Sequence, residues 1–310
     1  MYDIYFGKTA EPELLATDYA HSRYPLNKLE PNTRYYWKIV AKDGKGGITE
    51  GPVWSFKTGE REIIACAGGA EGLLLIDVSN PANPEVIGHL DTDEAEGVAI
   101  AGSYAYAAAW DNGLVIVDIS DPAKPKQIGH LDTAGGADFV TVAGSYAYVA
   151  DWDNGLVIVD ISDPANPQQI GHLDTYDAQG VAIAGSYAYV ADYWSGLVIV
   201  DISDPAKPKL IGYLVTDGNA GDVAIANSYA YVADDGNGLV IVDISDPAKP
   251  KQIGHLDTDR GARSVAIAGS YAYVADSGNG LVIVDISNPA EPKIVSDMLW
   301  ITIYGVAVGE

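Results

Sequence analysis

From residue 61 onward the chain repeats four short apolar stretches separated by Gly, Asn, Asp and Pro. One round reads GVAIAG, SYAYVAD, GLVIVDIS and PQQIGHLDT, which predicts four strands, A to D. The third, LVIVD, is apolar at consecutive positions, as expected of a strand buried on both faces. Strand A carries small residues at alternate positions, Ala99 and Ala101 in one copy and Ala182 and Ala184 in another. In strand B the pairs Tyr146/Tyr148 and Tyr187/Tyr189 recur at period two, so each pair shares one face.

The aspartates that close the third stretch are Asp77, Asp118, Asp160, Asp201, Asp243 and Asp285, spaced by 41 or 42 residues. Six repeats of four strands predict a six-bladed β-propeller, with the small residues of strand A at the crowded axis. The first repeat lacks strand A, because REIIACAGG aligns directly with SYAYVADWD and puts Cys66 where Val149 stands later. The missing stretch recurs at the far end, where YGVAVGE at 304–310 matches GVAIAG. Its addition to the first sheet would close the ring and leave no open edge. LVIVD occurs verbatim five times and LLLID once. On these motifs, residues 61–310 resemble the LVIVD-repeat family of bacterial and archaeal surface-associated proteins. That resemblance implies a propeller and no common chemistry.

Residues 1–60 read differently. LEPNTRYYWKIVAKDGKGG at 29–47, followed by VWSFKT, resembles the second half of a fibronectin type III module. Leu29, Pro31, Thr33 and Tyr35 have tyrosine-corner spacing, and Trp37 is the expected core residue on that strand. YDIYFG and PELLAT supply earlier strands, but two strands of a complete sandwich are missing. Either the chain begins inside the module or another subunit donates the missing strand.

The formal charge of −25 is unevenly distributed. Residues 1–60 hold eight basic and eight acidic side chains, which leaves ten against thirty-five for the rest. A surface so acidic repels phosphate backbones and anionic lipid, and so argues against nucleic acid and membrane docking as partners. No apolar run is long enough to span a bilayer, and a lone cysteine cannot form an intrachain disulfide.

Candidate chemistry lies where copies differ. The A–B and C–D turns barely change, whereas the B–C loops (AWDNG, DWDNG, DYWSG) and D–A loops vary, and in a propeller these two share one face. That face is expected to carry Trp110, Asp111, Asp138, Trp152, Asp153, Asp177, Tyr193, Trp194, Asp235 and Trp300. Aromatic planes beside carboxylates suit sugar rings or protein hot spots. Equally, the rings could pack between blades and the acids cap hairpins. Asp151 and Asp153 in DWDNG faintly resemble a calcium loop, without the further oxygen ligands of an EF-hand; no other cofactor is expected.

His89, His130, His172 and His255 recur in GHLDT, with Tyr213 at the fifth site. Spread around the rim on strand D, they cannot converge on one metal or substrate. No nucleophile elbow, zinc helix or phosphate loop is present, so an enzyme is not expected. The function expected is a secreted or cell-surface module that binds protein or carbohydrate. The alternative is a structural protein that self-associates by stacking or strand donation, encouraged by Lys124, Lys126, Lys207, Lys209, Lys249, Lys251 and Lys293 in or just after the C–D turns. A propeller hydrolase is a third, weaker reading.

Overall fold

The computed structural model describes residues 1–298, apart from 22, 27, 28, 60, 81, 259 and 260. Every regular element among them is a β-strand. Two compact units form, one of Met1–Ile64 with Asp77–Glu85, the other of Ala65–Ile76 with the described residues from Val86 onward. The boundary expected at 60/61 therefore lies slightly later, and the first unit also takes the turn after Asp77. Local bonds account for this: Val78 N donates to Glu62 O (2.9 Å), Glu62 N to Ser79 Oγ (2.9 Å), and Arg61 Nε lies 3.2 Å from Asp77 Oδ2.

The first unit contains β1 (Tyr2–Gly7), β2 (Glu13–Tyr19), β3 (Arg34–Lys42), β4 (Ile48–Glu50) and β5 (Trp54–Lys57), in the order β2-β1-β3-β4 with β5 also paired to β3. Phe6, Tyr35 and Phe56 stack on one face, with Phe6–Tyr35 and Tyr35–Phe56 centroids 5.0 and 5.9 Å apart. Tyr35 is buried and its Oη accepts the N–H of Glu30 at 2.8 Å, the backbone bond that the tyrosine-corner spacing predicts. Trp37, expected in a core, is instead half-buried and stacks on exposed Trp54 at 4.5 Å. These five strands form one sheet.

The repeats begin with a three-stranded sheet of β6 (Ile63–Ala67), β7 (Leu73–Asp77) and β8 (Glu85–Leu90). Five four-stranded antiparallel sheets follow. They are β9 (Gly97–Ala101) to β12 (Lys126–Leu131) through β10 (Tyr104–Ala108) and β11 (Leu114–Asp118); β13 (Phe139–Ala143) to β16 (Gln168–Leu173) through β14 (Tyr146–Ala150) and β15 (Leu156–Asp160); and β17 (Gly180–Ala184) to β20 (Lys209–Leu214) through β18 (Tyr187–Ala191) and β19 (Leu197–Asp201). The last two are β21 (Asn219–Ala226), β22 (Tyr229–Asp235), β23 (Gly238–Asp243) and β24 (Lys251–Leu256), then β25 (Ala262–Ala268), β26 (Tyr271–Asp276), β27 (Gly280–Asp285) and β28 (Lys293–Met298). The A strands β9, β13, β17, β21 and β25 neighbour one another in succession. The closing strand expected at 304–310 lies outside the described residues.

LVIVD is apolar throughout because its two faces serve different neighbours. In β15, Val157 and Val159 pack with Tyr106, Leu114 and Ile116 of the preceding sheet, while Leu156 and Ile158 pack with Val181, Val190 and Val198 of the next. The closing aspartate shapes the turn instead: Asp118 Oδ1 accepts Ser120 N, and Asp160, Asp201, Asp243 and Asp285 do the same two residues on, all at 2.9 Å. Hydrogen bonds from the hydroxyl and N–H of that serine hold the aspartates below the ordinary carboxylate value. That turn then docks on the sheet before it. A Cβ added to Gly88, Gly129, Gly171, Gly212 or Gly254 in strand D would overlap the carbonyl oxygen of Pro122, Pro164, Pro205, Pro247 or Pro289 respectively. Glycine is required by this close approach, and sheet is latched to sheet.

Candidate binding face

The variable loops are brought to one end of the sheets by reciprocal backbone bonds. Trp110, after β10, exchanges N–H and C=O with Ala137 at the entry to the next sheet (3.0 and 3.1 Å). Trp152 does so with Ala178, and Tyr193 with Ala220. Carboxylates hold the same loops from the other side. Asp151 is fully buried and accepts from Thr133 Oγ1, Asn154 Nδ2 (2.7 Å) and Gly135 N (3.1 Å). Asp192 takes the N–H groups of Tyr176 and Asp177, and Asp234 takes Thr216 Oγ1, Gly218 N and Asn237 Nδ2.

These bonds bear on the calcium reading of Asp151 and Asp153. The Asp151 carboxylate is committed to its loop while Asp153 is exposed, so the pair does not present a common site. Among the described residues, no group of three or more His, Cys, Asp or Glu could hold a metal.

The aromatic residues at the bridges occupy an unusual backbone. Trp110, Trp152 and Tyr193 have φ of 36°, 41° and 31°, in the left-handed region that bulky residues avoid. At the same bridge the first sheet uses Gly69, with φ 56° and a matching bond to Ala95. The rings of Trp110 and Trp152 meet at 5.1 Å, and Trp152 remains 39% exposed. Tyr193 meets Trp194 edge-on at 4.9 Å. The backbones of these residues join sheets; the Trp110 ring lies half-buried over Gly136, while the Trp152 and Trp194 rings are exposed.

Acids gather at the heads of the inner strands. Burial pushes the Asp138 carboxyl up to about 7, with repulsion from Glu96, Asp177 and Asp222 adding to it. Burial also pushes Asp222 up to about 6, against bonds from Val265 N (3.1 Å), Ser264 Oγ (2.8 Å) and Val223 N (2.7 Å). Asp177 is raised by burial, and its carboxylate accepts Gln179 Nε2 at 2.6 Å. Glu96 and Asp222 were missed in the sequence; the signal was their departure from the repeat beside strand A. Asp111 is exposed and Asp235 half-buried against Gly261, and Trp300 lies outside the described residues. The rim histidines have a local role: the Nε2 atoms of His130, His172 and His255 donate to the carbonyls of Asn112, Asn154 and Asn237 at 2.6–2.8 Å.

The LVIVD repeat model matches six times, at residues 65–92, 94–133, 134–175, 177–216, 217–258 and 259–299. The chain belongs to the LVIVD repeat family. A comparison with curated proteins finds no match. The LVIVD chain is similar in fold to several solved structures. A chain of a mitotic checkpoint complex has a TM-score of 0.63 at 11% identity, over 80% of this chain and 78% of that one. The Cps50 (Swd1) β-propeller domain of Myceliophteria thermophila scores 0.61 at 14% identity over 76% and 82%, and the computationally designed Ika8 protein 0.59 at 10% over 91% and 89%. At such identities the likeness concerns fold alone, and the LVIVD region is a β-propeller.

Proposed function

We propose that this LVIVD protein is a non-enzymatic module, secreted or displayed at the cell surface, that binds a protein partner through the face of B–C and D–A loops. One observation carries the reading. Trp110 and Trp152 are held at positive φ, which costs roughly 1–3 kcal/mol each, at a bridge that Gly69 makes without that cost. The bridge itself does not need tryptophan, and strain kept for a ring as exposed as that of Trp152 supports a recognition role. Protein partners also agree with the mitotic checkpoint complex, one chain of which is similar in fold.

We read the ring as six-bladed, completed by residues 304–310, and the first unit as a fibronectin type III-like module, on the strength of the Tyr35–Glu30 bond. Substituting Trp152→Gly tests the face. Surface-protein extract from the producing cells is passed over immobilised wild type and variant. Loss of at least about tenfold in the retained partner, with an unchanged or higher melting temperature, is expected. Equal retention would refute the assignment.

A further inference from the structure

Five residues that break the repeat converge in space. Strand D reads Gln127, His130 and Asp132 in one copy, and Gln169/His172/Asp174 and Gln252/His255/Asp257 in two more; in β20 and just after it the same positions are Leu210, Tyr213 and Val215. Trp194 stands where other B–C loops have Asp111, Asp153 or Gly236, and Tyr176 where another D–A loop has Ala134. These five departures come from three segments. They line one groove of about 600 Å³ between the strand D end of the β13–β16 sheet and the face of β19 and β20. All five side chains are open to solvent, between 54 and 67% exposed. Leu210 pairs with Val200 and Tyr213 with Val198, so both project from the face that Val198 floors.

Such a patch is unfavourable to leave in water, and nothing in the repeat demands it, since three other sheets fold with Gln, His and Asp there. Its chemistry favours protein over sugar. Aliphatic Leu210 and Val215 extend the apolar lining beyond the rings of Tyr176, Trp194 and Tyr213, and the buried carboxylate of Asp192, which a sugar hydroxyl would need, is already taken by the Tyr176 and Asp177 N–H groups. Its charge is one-sided. Asp174 and Asp192 line the groove and no Lys or Arg does; Lys209, next to Leu210 in sequence, pairs across the strand with Asp201.

We infer that this groove is a docking site for a peptide segment of the partner that carries apolar or aromatic side chains flanked by Lys or Arg. The inference rests on the protein-binding reading above and assigns it a second, distinct anchor. Apolar side chains fill the space between Trp194, Tyr213 and Leu210, and basic flanks meet Asp174 in the acidic field of the repeat region.

The triple variant Leu210→Gln/Tyr213→His/Val215→Asp tests it, because it restores the pattern of three sibling sheets and so preserves the fold. A random dodecapeptide library is selected on the full-length wild type with the variant as counter-target. A synthetic peptide of the enriched sequence is then titrated into both by fluorescence anisotropy. Expected are enriched sequences with at least two apolar residues and basic flanks, binding weakened about tenfold or more by the triple variant, further weakened by salt, and unaffected by Trp152→Gly. Absence of enrichment, acidic sequences or equal affinity for the variant overturns the inference. So does groove-dependent binding of the neutral oligosaccharide maltohexaose, which would make the occupant a glycan. Survival of peptide binding in Trp152→Gly, alongside failure of partner capture to depend on Trp152, would separate this site from the tryptophan face.

Discussion

Asp138 stands at the head of β13 with Glu96, Asp177 and Asp222 as its charged neighbours, and burial lifts its carboxyl to about 7. In the unfolded chain the same group titrates near 3.8. Between those values the folded state holds a proton that the unfolded state has released, so stability falls as pH rises through the window. Asp222, pushed to about 6, acts in the same sense. The turn aspartates such as Asp118 oppose it: their depressed folded pKa gives stability that is present above the ordinary carboxylate range and lost as pH falls below it. The optimum is therefore expected on the acidic side, near pH 4–5. Asp138→Asn should gain stability over the wild type at pH 8, by up to about 4 kcal/mol, and little at pH 4. Urea denaturation at the two pH values reads the difference; an equal effect at both would show that Asp138 is not the titrating group. The carboxylate was visible in the sequence as a candidate, but its neighbours come from other repeats and could not be read from local spacing.

At the scale of strands, much was legible because every copy repeats the same physical solution. Consecutive apolar residues in LVIVD meant burial on both faces, and Val157 and Leu156 do pack on opposite neighbours. Strand D was less transparent. Its pairing slips between Ile158 and Val159, so that Ile158 opposes Gly171 and Val159 opposes Gln169, which leaves Ile170 as an extra residue tucked against the core. The purpose of Gly171 emerges only with the next sheet in place, since Pro205 O fills the space where its Cβ would be. Gly171→Ala is expected to destabilise by about 1–3 kcal/mol as the turn is forced off the sheet, whereas Gly185→Ala, in an A–B turn with open space around it but φ of 60°, should cost about 1 kcal/mol from backbone strain alone. Equal losses in thermal denaturation would mean that the latch contributes nothing beyond local conformation.

Across the whole molecule, repetition made the scaffold readable and the site only half so. Loops that vary could be named from one sequence, but which of them meet depends on the order of sheets. Trp110 and Trp152 come together, as do Tyr176, Trp194 and Tyr213, while Asp111 is exposed to solvent. The same dependence on order makes the proposed closure the property to test at this scale. Among the described residues strand β6 pairs only with β7, and the YGVAVGE stretch matches the strand A pattern that the first repeat lacks. If residues 304–310 complete that sheet, Val306 and Val308 bury about 1.5–3 kcal/mol each, and the two ends of the repeat array become one cooperative unit. A chain ending at residue 303 should then melt on the order of 10 °C lower and lose the sharpness of its transition, because an open array can unravel from its ends. Adding the heptapeptide in trans should recover part of the loss, since the edge it pairs with remains. An unchanged melting temperature on truncation would show that the first sheet takes its fourth strand from elsewhere, or does without one.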